Sequence, residues 1–108
     1  MGNTEEDMGE EDIKEIVEKT LKEIDHPEIA KTLFELGMIE DIRFDDGKVS
    51  FILKLPFREI PIKEFLIEDI KNTLKEKVSD IIVETNLKEM SQEEKAKFVK
   101  MAREAWRG

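Results

Sequence analysis

The sequence has no cysteine and no tyrosine, and only one histidine and one tryptophan among its 108 residues. Without thiols the chain can form no disulfide and can hold no metal centre through its own thiolates. Because disulfides belong to oxidising compartments, this composition is also compatible with the cytoplasmic location that we expect.

Long apolar segments are missing as well. The purely apolar runs are only a few residues long, far below the ~20 residues that a membrane-spanning helix needs. The acidic beginning of the chain, residues 1–12, has no apolar stretch of the kind that a secretory signal requires. We therefore expect neither a signal peptide nor contact with a membrane.

Basic residues are fewer than acidic ones. The chain has 18 Lys and Arg residues against 27 Asp and Glu residues, which gives a formal charge of −9. A field of this sign repels phosphate groups, so nucleic acid is not an expected partner. Charged residues make up 42% of the chain, and Lys and Glu dominate them. That bias is typical of thermophile proteins.

Motifs for catalysis are also absent. The five glycines form neither a P-loop nor a dinucleotide-binding pattern, and no serine lies in a nucleophile elbow. We therefore predict a protein that is not an enzyme and that binds no cofactor. Residues 1–10 are predicted to be a flexible acidic tail, because they have too little apolar surface to offset the entropy of ordering. Residues 11–107 are predicted to form one domain.

Three segments have the apolar spacing of amphipathic helices: 12–24, 61–77 and a segment that begins at Ser91. Asp12 and Ser91 are the predicted N-caps, each followed three residues later by a Glu that can complete a capping box. Pro61 suits the first turn of the second helix. All three helices should present one apolar face to a core.

Three strands are predicted from residue alternation near 38–44, 48–55 and 80–85. Asp45-Asp46-Gly47 between the first two is typical of a hairpin turn. Residues 27–37 are ambiguous, and we expect one or two helical turns there, ended by a glycine in the left-handed conformation.

The order α-β-β-α-β-α predicts an α+β fold with two layers, in which helices cover one face of a small three-stranded mixed sheet. A right-handed crossover through the second helix is expected to place strand 3 beside strand 1 and parallel to strand 2.

Four short stretches, in this order and spacing, are similar to those of one known family: Asp25-His26-Pro27-Glu28, Leu36-Gly37-Met38-Ile39, Asp45-Asp46-Gly47-Lys48-Val49 and Met90-Ser91 with Glu94. Over residues 13–94 the sequence resembles the iron–sulfur cluster assembly domain of SUF-associated proteins. The same domain occurs in the phenylacetate-degradation protein PaaD and at the N-terminus of Mrp-type carrier ATPases. The resemblance implies the fold derived above and a place in cluster biology.

One departure from the family is chemical. The family has a cysteine between the second strand and the second helix, and an ungapped match places that cysteine at Ile60, directly before Pro61. Isoleucine cannot ligate iron, so the resemblance implies an accessory or adaptor protein that acts by protein–protein binding. Its partner would be a carrier ATPase, a scaffold or an apoprotein. The alternative is a stand-alone structural or regulatory homodimer, unrelated to cluster biology.

The candidate partner-binding residues are the retained motif positions and the loop around the replaced cysteine. They are Asp25, Pro27, Glu28, Gly37, Phe57, Arg58, Glu59, Ile60 and Pro61. We expect Phe57 to pack into the core. Trp106 could be an exposed interface anchor or could cover the end of the sheet.

Two further features leave alternatives open. Asp25, His26 and Glu28 could hold a metal ion, but we favour an ordinary turn, in which an imidazolium suits the end of a helix. Ile52 and Ile82 lie on the otherwise polar face of the sheet. They could mark a dimer patch or be scattered surface residues.

The lack of thiols generates the first prediction. Anaerobic reconstitution of the purified chain with iron and sulfide should give no stable charge-transfer band in the ultraviolet–visible spectrum, because no thiolate is available to hold a cluster. A band that disappeared in His26→Ala would contradict this and would give His26 a direct ligand role.

Overall fold

Three helices and three strands alternate along the computed structural model, which describes residues 9–57 and 60–106. They are α1 (Glu10–Glu23), β1 (Ile39–Asp45), β2 (Lys48–Leu55), α2 (Lys63–Lys77), β3 (Ile82–Glu89) and α3 (Gln92–Ala105). The predicted α-β-β-α-β-α order and α+β class are confirmed.

Helix α1 begins earlier than predicted, because its N-cap is Gly9 and not Asp12. Asp12 lies at the third helical position, where its Oδ2 accepts a hydrogen bond of 3.4 Å from the Gly9 N–H. Glu10 and Glu11 complete an acidic first turn, and their negative charges interact favourably with the positive N-terminal end of the helix dipole. Of the predicted acidic tail, residues 1–8 lie outside the described residues.

The predicted hairpin joins β1 and β2 as an antiparallel pair. Its two turn residues, Asp46 and Gly47, have φ of 51° and 79°, the pair of positive values that a type I′ turn requires. Strand β1 also contains an irregularity that alternation did not reveal. The register shifts between Glu40 and Arg43, and Asp41 between them has φ of 56°. This is a β-bulge, which bends and twists the strand.

Strand β2 lies in the centre of the sheet, and β3 runs parallel to it on the far side from β1. The prediction that strand 3 lies beside strand 1 is therefore wrong. The prediction that strand 3 runs parallel to strand 2 is confirmed. Burial explains the arrangement. β2 buries side chains from both faces, including Phe51 and Lys54, whereas β1 and β3 are mostly exposed. Only a central strand can be covered so completely.

Helices α1 and α2 cover one face of this sheet, as predicted. α1 packs against α2 and β1, and α2 packs against β3. The fully buried side chains between the layers include Val17, Leu21, Val49, Phe51, Leu53, Leu66, Ile70 and Leu74. Within residues 9–57 and 60–106, no helix is long and apolar enough to cross a membrane.

Strand β3 continues to Glu89, four residues beyond the predicted end at 85. Side chains on both faces of its second half are exposed, so this part of the strand has no alternation of apolar and polar residues by which it could be predicted. On the open face of the sheet Ile82 lies opposite Lys48, and Ile52 lies opposite Asn86. The two isoleucines are thus separated by four residues along the strands, roughly 13 Å. They are scattered surface residues and not one patch.

The second prediction concerns the core. Phe51→Ala should lower the free energy of unfolding by ~3–5 kcal/mol, because Phe51 is 1% exposed and its removal leaves a cavity. The matched control is Phe65→Ala on α2, where the ring is 54% exposed. Its effect should stay within ~0.5 kcal/mol. Urea unfolding measures both, and an equal loss in the two variants would contradict this description of the core.

Candidate binding site

An apolar pocket of about 250 Å³ opens at one end of the sheet, where three chain segments meet. The connection between β2 and α2 provides one wall, with Pro56, Phe57, Ile60, Pro61 and Ile62. The other walls come from α3 and from the segment after α1. Ile60 is half-buried in this wall. We call this cavity the apolar pocket.

Helix α3 contributes Phe98 and Ala102 to the apolar pocket, and Trp106, the residue directly after the helix, completes this wall. The helix starts at the predicted N-cap Ser91, whose Oγ accepts a hydrogen bond of 3.2 Å from the Glu94 N–H. In return the Ser91 N–H donates to Glu94 Oε1 over 2.9 Å. This capping box is confirmed. It holds the Glu94 carboxylate in the first turn, next to the sheet.

A buried lysine ties that first turn to two strands. Lys54 on β2 has a side chain only 7% exposed, and its Nζ contacts both Glu94 Oε2 and Glu40 Oε1, the latter at 2.9 Å. The two carboxylates raise the pKa of Lys54 above its ordinary value, with Glu94 the larger cause. The Lys54 ammonium, helped by the Ser91 N–H, lowers the pKa of Glu94 to about 2. We call this cluster the Lys54 clamp.

The far end of α3 is fixed by backbone contacts. The Ala30 N–H donates to the Ala105 carbonyl over 2.7 Å, and Ile29 forms an antiparallel bridge with Trp106. Helix α3 is therefore held at both ends, by the Lys54 clamp and by the segment after α1. The pocket wall that lies between these two points has a defined position.

The segment after α1 folds back on itself and supplies His26 and Ile29 to the pocket. The His26 N–H donates to the Lys31 carbonyl at 3.0 Å, and the Leu33 N–H donates to the Ile24 carbonyl at 2.8 Å. These bonds hold the segment as a miniature hairpin beside α3.

His26 is 3% exposed, and its Nδ1 accepts a hydrogen bond of 3.0 Å from the Glu28 N–H. This bond closes the ordinary turn that the sequence predicts before Pro27. Asp25 and Glu28 are both exposed. In the described part of the chain no three His, Asp or Glu side chains converge on a metal position.

The structure brings some predicted site residues together and separates others. Glu28, Phe57, Ile60 and Pro61 line the apolar pocket. Asp25 and Pro27 are exposed in the turn beside it, and Arg58 and Glu59 lie outside the described residues.

Gly37 lies in a different cleft, which it shares with Glu94 and Met101. Its φ of 77° confirms the predicted left-handed end of a short turn, and its role is conformational.

Two aromatic side chains stand at the rim of the pocket. Phe57 is 53% exposed and Trp106 is 54% exposed, so the expected core packing of Phe57 is wrong. The Nζ of Lys95 lies 5.1 Å from the centre of the Phe57 ring, a cation–π distance that restrains the ring without covering it. Exposed aromatics beside an apolar cavity are typical of protein-binding surfaces.

Some pocket residues were not among the sequence candidates. Phe98 and Ala102 have the helical spacing of a core stripe, which gave no reason to expect a pocket. Met38 follows Gly37 and is fully buried, so it forms the floor. Met38 is brought to this end of the sheet because the Lys54 N–H donates to its carbonyl over 2.7 Å, a contact across 16 residues that no local pattern in the sequence reveals.

The family model described as "Iron-sulfur cluster assembly protein" matches residues 14–85, and the chain belongs to this family. An iron–sulfur cluster carrier protein from Synechocystis sp. is 40% identical over 55 residues, or 51% of this chain. The chain spans only 16% of the length of that carrier protein.

A solved structure supports the fold. The crystal structure of a domain of unknown function, DUF59, from Bacillus anthracis superimposes with a TM-score of 0.67 at 19% identity. The match covers 88% of this chain and 94% of that domain. At this identity the likeness concerns the fold alone.

The third prediction concerns the Lys54 clamp. Because the pKa of Glu94 is lower in the folded chain than in the unfolded one, its stabilising effect is complete above pH ~4.5 and is lost as the pH falls to about 2. Glu94→Gln keeps the capping oxygen but removes the charge. The variant should be less stable than wild type at pH 7 and equal to it near pH 2.

The control is Glu93→Gln, which removes an exposed carboxylate from the same turn and leaves the Lys54 clamp intact. Urea midpoints between pH 2 and 7 measure all three chains. A difference between wild type and Glu94→Gln that did not shrink in acid would contradict the ion pair.

Proposed function

We propose that this chain is a non-catalytic accessory or adaptor protein of iron–sulfur cluster assembly or target maturation, and that it acts by binding another protein at the apolar pocket. The observation that carries the proposal is the position of Ile60. The resemblance places the family's cysteine at this position, and Ile60 lines a cavity between two exposed aromatic rings.

The chemistry of the pocket supports binding in preference to cluster chemistry. Its walls are mostly hydrocarbon, its one histidine is buried, and the chain has no thiol. Its volume, about 250 Å³, lies below the ~300–1,000 Å³ of cavities that hold whole small molecules. One or two apolar side chains of a protein partner suit this size better.

The partner classes we propose are a carrier ATPase, a scaffold or a cluster-accepting apoprotein. Family membership supports this choice. So does the Synechocystis carrier protein, in which the matching stretch is a small part of a longer chain. A domain of the same kind would then bind a carrier protein, with Phe57 and Trp106 as anchors for the carrier's apolar residues.

The fourth prediction tests this surface. The purified chain, immobilised and exposed to extract of its host, should enrich identified cluster-assembly proteins or cluster-accepting apoproteins. Trp106→Ala and Ile60→Asp should each reduce that enrichment at least roughly tenfold, because truncating or charging a central anchor typically costs ~2 kcal/mol or more of binding. Quantitative mass spectrometry of the captured proteins is the measurement.

The matched control is Phe65→Ala, which removes an equally exposed ring outside the pocket and should leave the enrichment unchanged. All variants are first compared by thermal melting, so that loss of binding is separated from loss of fold. Recovery of no cluster-related protein would contradict the proposal, and so would equal recovery by wild type and the two pocket variants.

A further inference from the structure

The free edge of β3 has the hydrogen-bonding groups of an unpaired strand. At its two ends the Ile82 N–H donates to the Gly47 carbonyl at 3.0 Å, and the Met90 N–H donates to the Leu55 carbonyl at 2.8 Å. The backbone N–H and C=O groups of successive residues point to opposite sides of a strand, so in β3 those of the even-numbered residues point towards β2. In the described chain β3 pairs with β2 alone, and the N–H and C=O groups of its odd-numbered residues point away from the sheet.

This edge lacks most of the features that prevent an edge strand from pairing with another chain, such as short length, proline and bulges. β3 is eight residues long, or roughly 26 Å, and its register with β2 is continuous and free of bulges. It contains no proline. Leu87 on its helix-covered face is 48% exposed. Edges of this kind are templates for pairing with a further strand.

We propose that β3 pairs antiparallel with β3 of a second copy of this chain, about a two-fold axis at Asn86. Residues that exchange hydrogen bonds must both point outward, so odd-numbered residues pair with odd-numbered ones. In this register Val83 lies opposite the partner's Glu89, and Thr85 lies opposite the partner's Leu87. Every outward-facing group of the strand then finds a partner.

Charge selects this register over its neighbours. Glu84 lies opposite the partner's Lys88, and the symmetry repeats this pair on the other side of Asn86. A shift of two residues in either direction places Glu84 opposite the partner's Asn86 or the partner's Met90 and loses both ion pairs. Opposite charges directly across an antiparallel pair stabilise it, and like charges oppose it. Strand β3 is thus self-complementary in charge.

The same register covers the exposed apolar group on the edge. Leu87 and Thr85 share the helix-covered face of the sheet, opposite Leu53 and Phe51 of β2. In the pair, Leu87 of each copy lies beside the partner's Thr85, where its exposed surface is removed from water. Glu84 already contacts Lys48 of its own chain at 2.7 Å on the open face, so the new ion pair extends an existing row of alternating charge.

The fifth prediction uses the absence of cysteine, because a single introduced thiol is then unique. Residues opposite each other across such a non-hydrogen-bonded position have Cα atoms ~4.5 Å apart, within the range a disulfide spans. Asn86→Cys should therefore crosslink to its own copy under mild oxidation. Glu84→Cys alone should crosslink at least roughly tenfold more slowly, because its two copies lie ~13 Å apart. A mixture of Glu84→Cys and Lys88→Cys should crosslink readily.

Sedimentation of the unmodified chain at ~0.15 M salt tests the pairing without a thiol, under conditions that screen the repulsion between two acidic chains. A dimer that forms with rising concentration is expected. Thr85→Pro should abolish it and keep the far-ultraviolet circular dichroism, because the lost N–H points away from β2. Lys88→Glu should weaken it roughly tenfold, and adding Glu84→Lys should restore it.

The charge control is Lys75→Glu, on the exposed face of α2, which should leave the association constant unchanged. A chain that sediments as a monomer at every concentration overturns the proposal. So does an Asn86→Cys chain that crosslinks no faster than Glu84→Cys. The edge pairing does not depend on the proposed function, since the apolar pocket is built from other residues.

Discussion

The ammonium group of Lys54 places a strict constraint on the rest of the structure. A charge removed from water must be paired, and Lys54 is held by one carboxylate on β1 and one on α3. Those contacts attach the last helix to the sheet at a fixed point. Since α3 forms one wall of the apolar pocket, the pocket depends on this ion pair, although Lys54 does not line it.

Ile60 stands at the position where the resemblance places the family cysteine, and the two side chains differ in what they can do. A thiolate before a helix would bring charge and metal affinity, whereas an isoleucine brings only surface and shape. The surroundings suit the isoleucine, because Phe57 and Trp106 keep their rings partly in solvent. The family fold is retained, and Ile60 lines an apolar pocket at this end of it.

Local signals in the sequence predicted local structure well. The Ser91 cap, the hairpin at Asp46 and Gly47, and the bounds of β2 follow from residues near each other in the chain. Long-range contacts were harder to predict. Lys54 has the alternation of a solvent-facing residue, and only Glu40 and Glu94, distant in sequence, explain its burial. The place of β3 beside β2, and the exposure of Phe57, likewise depend on packing that no local pattern encodes.

The bulge at Asp41 has a consequence for assembly. It bends β1, the other edge of the sheet, and so makes that side a poor template for an added strand. The two margins of the domain are therefore unequal: one is regular and the other is distorted. When only one edge of the sheet can pair with another strand, two copies that join through that edge leave no free edge for a third copy. Assembly then stops at a closed dimer and cannot continue into a fibre.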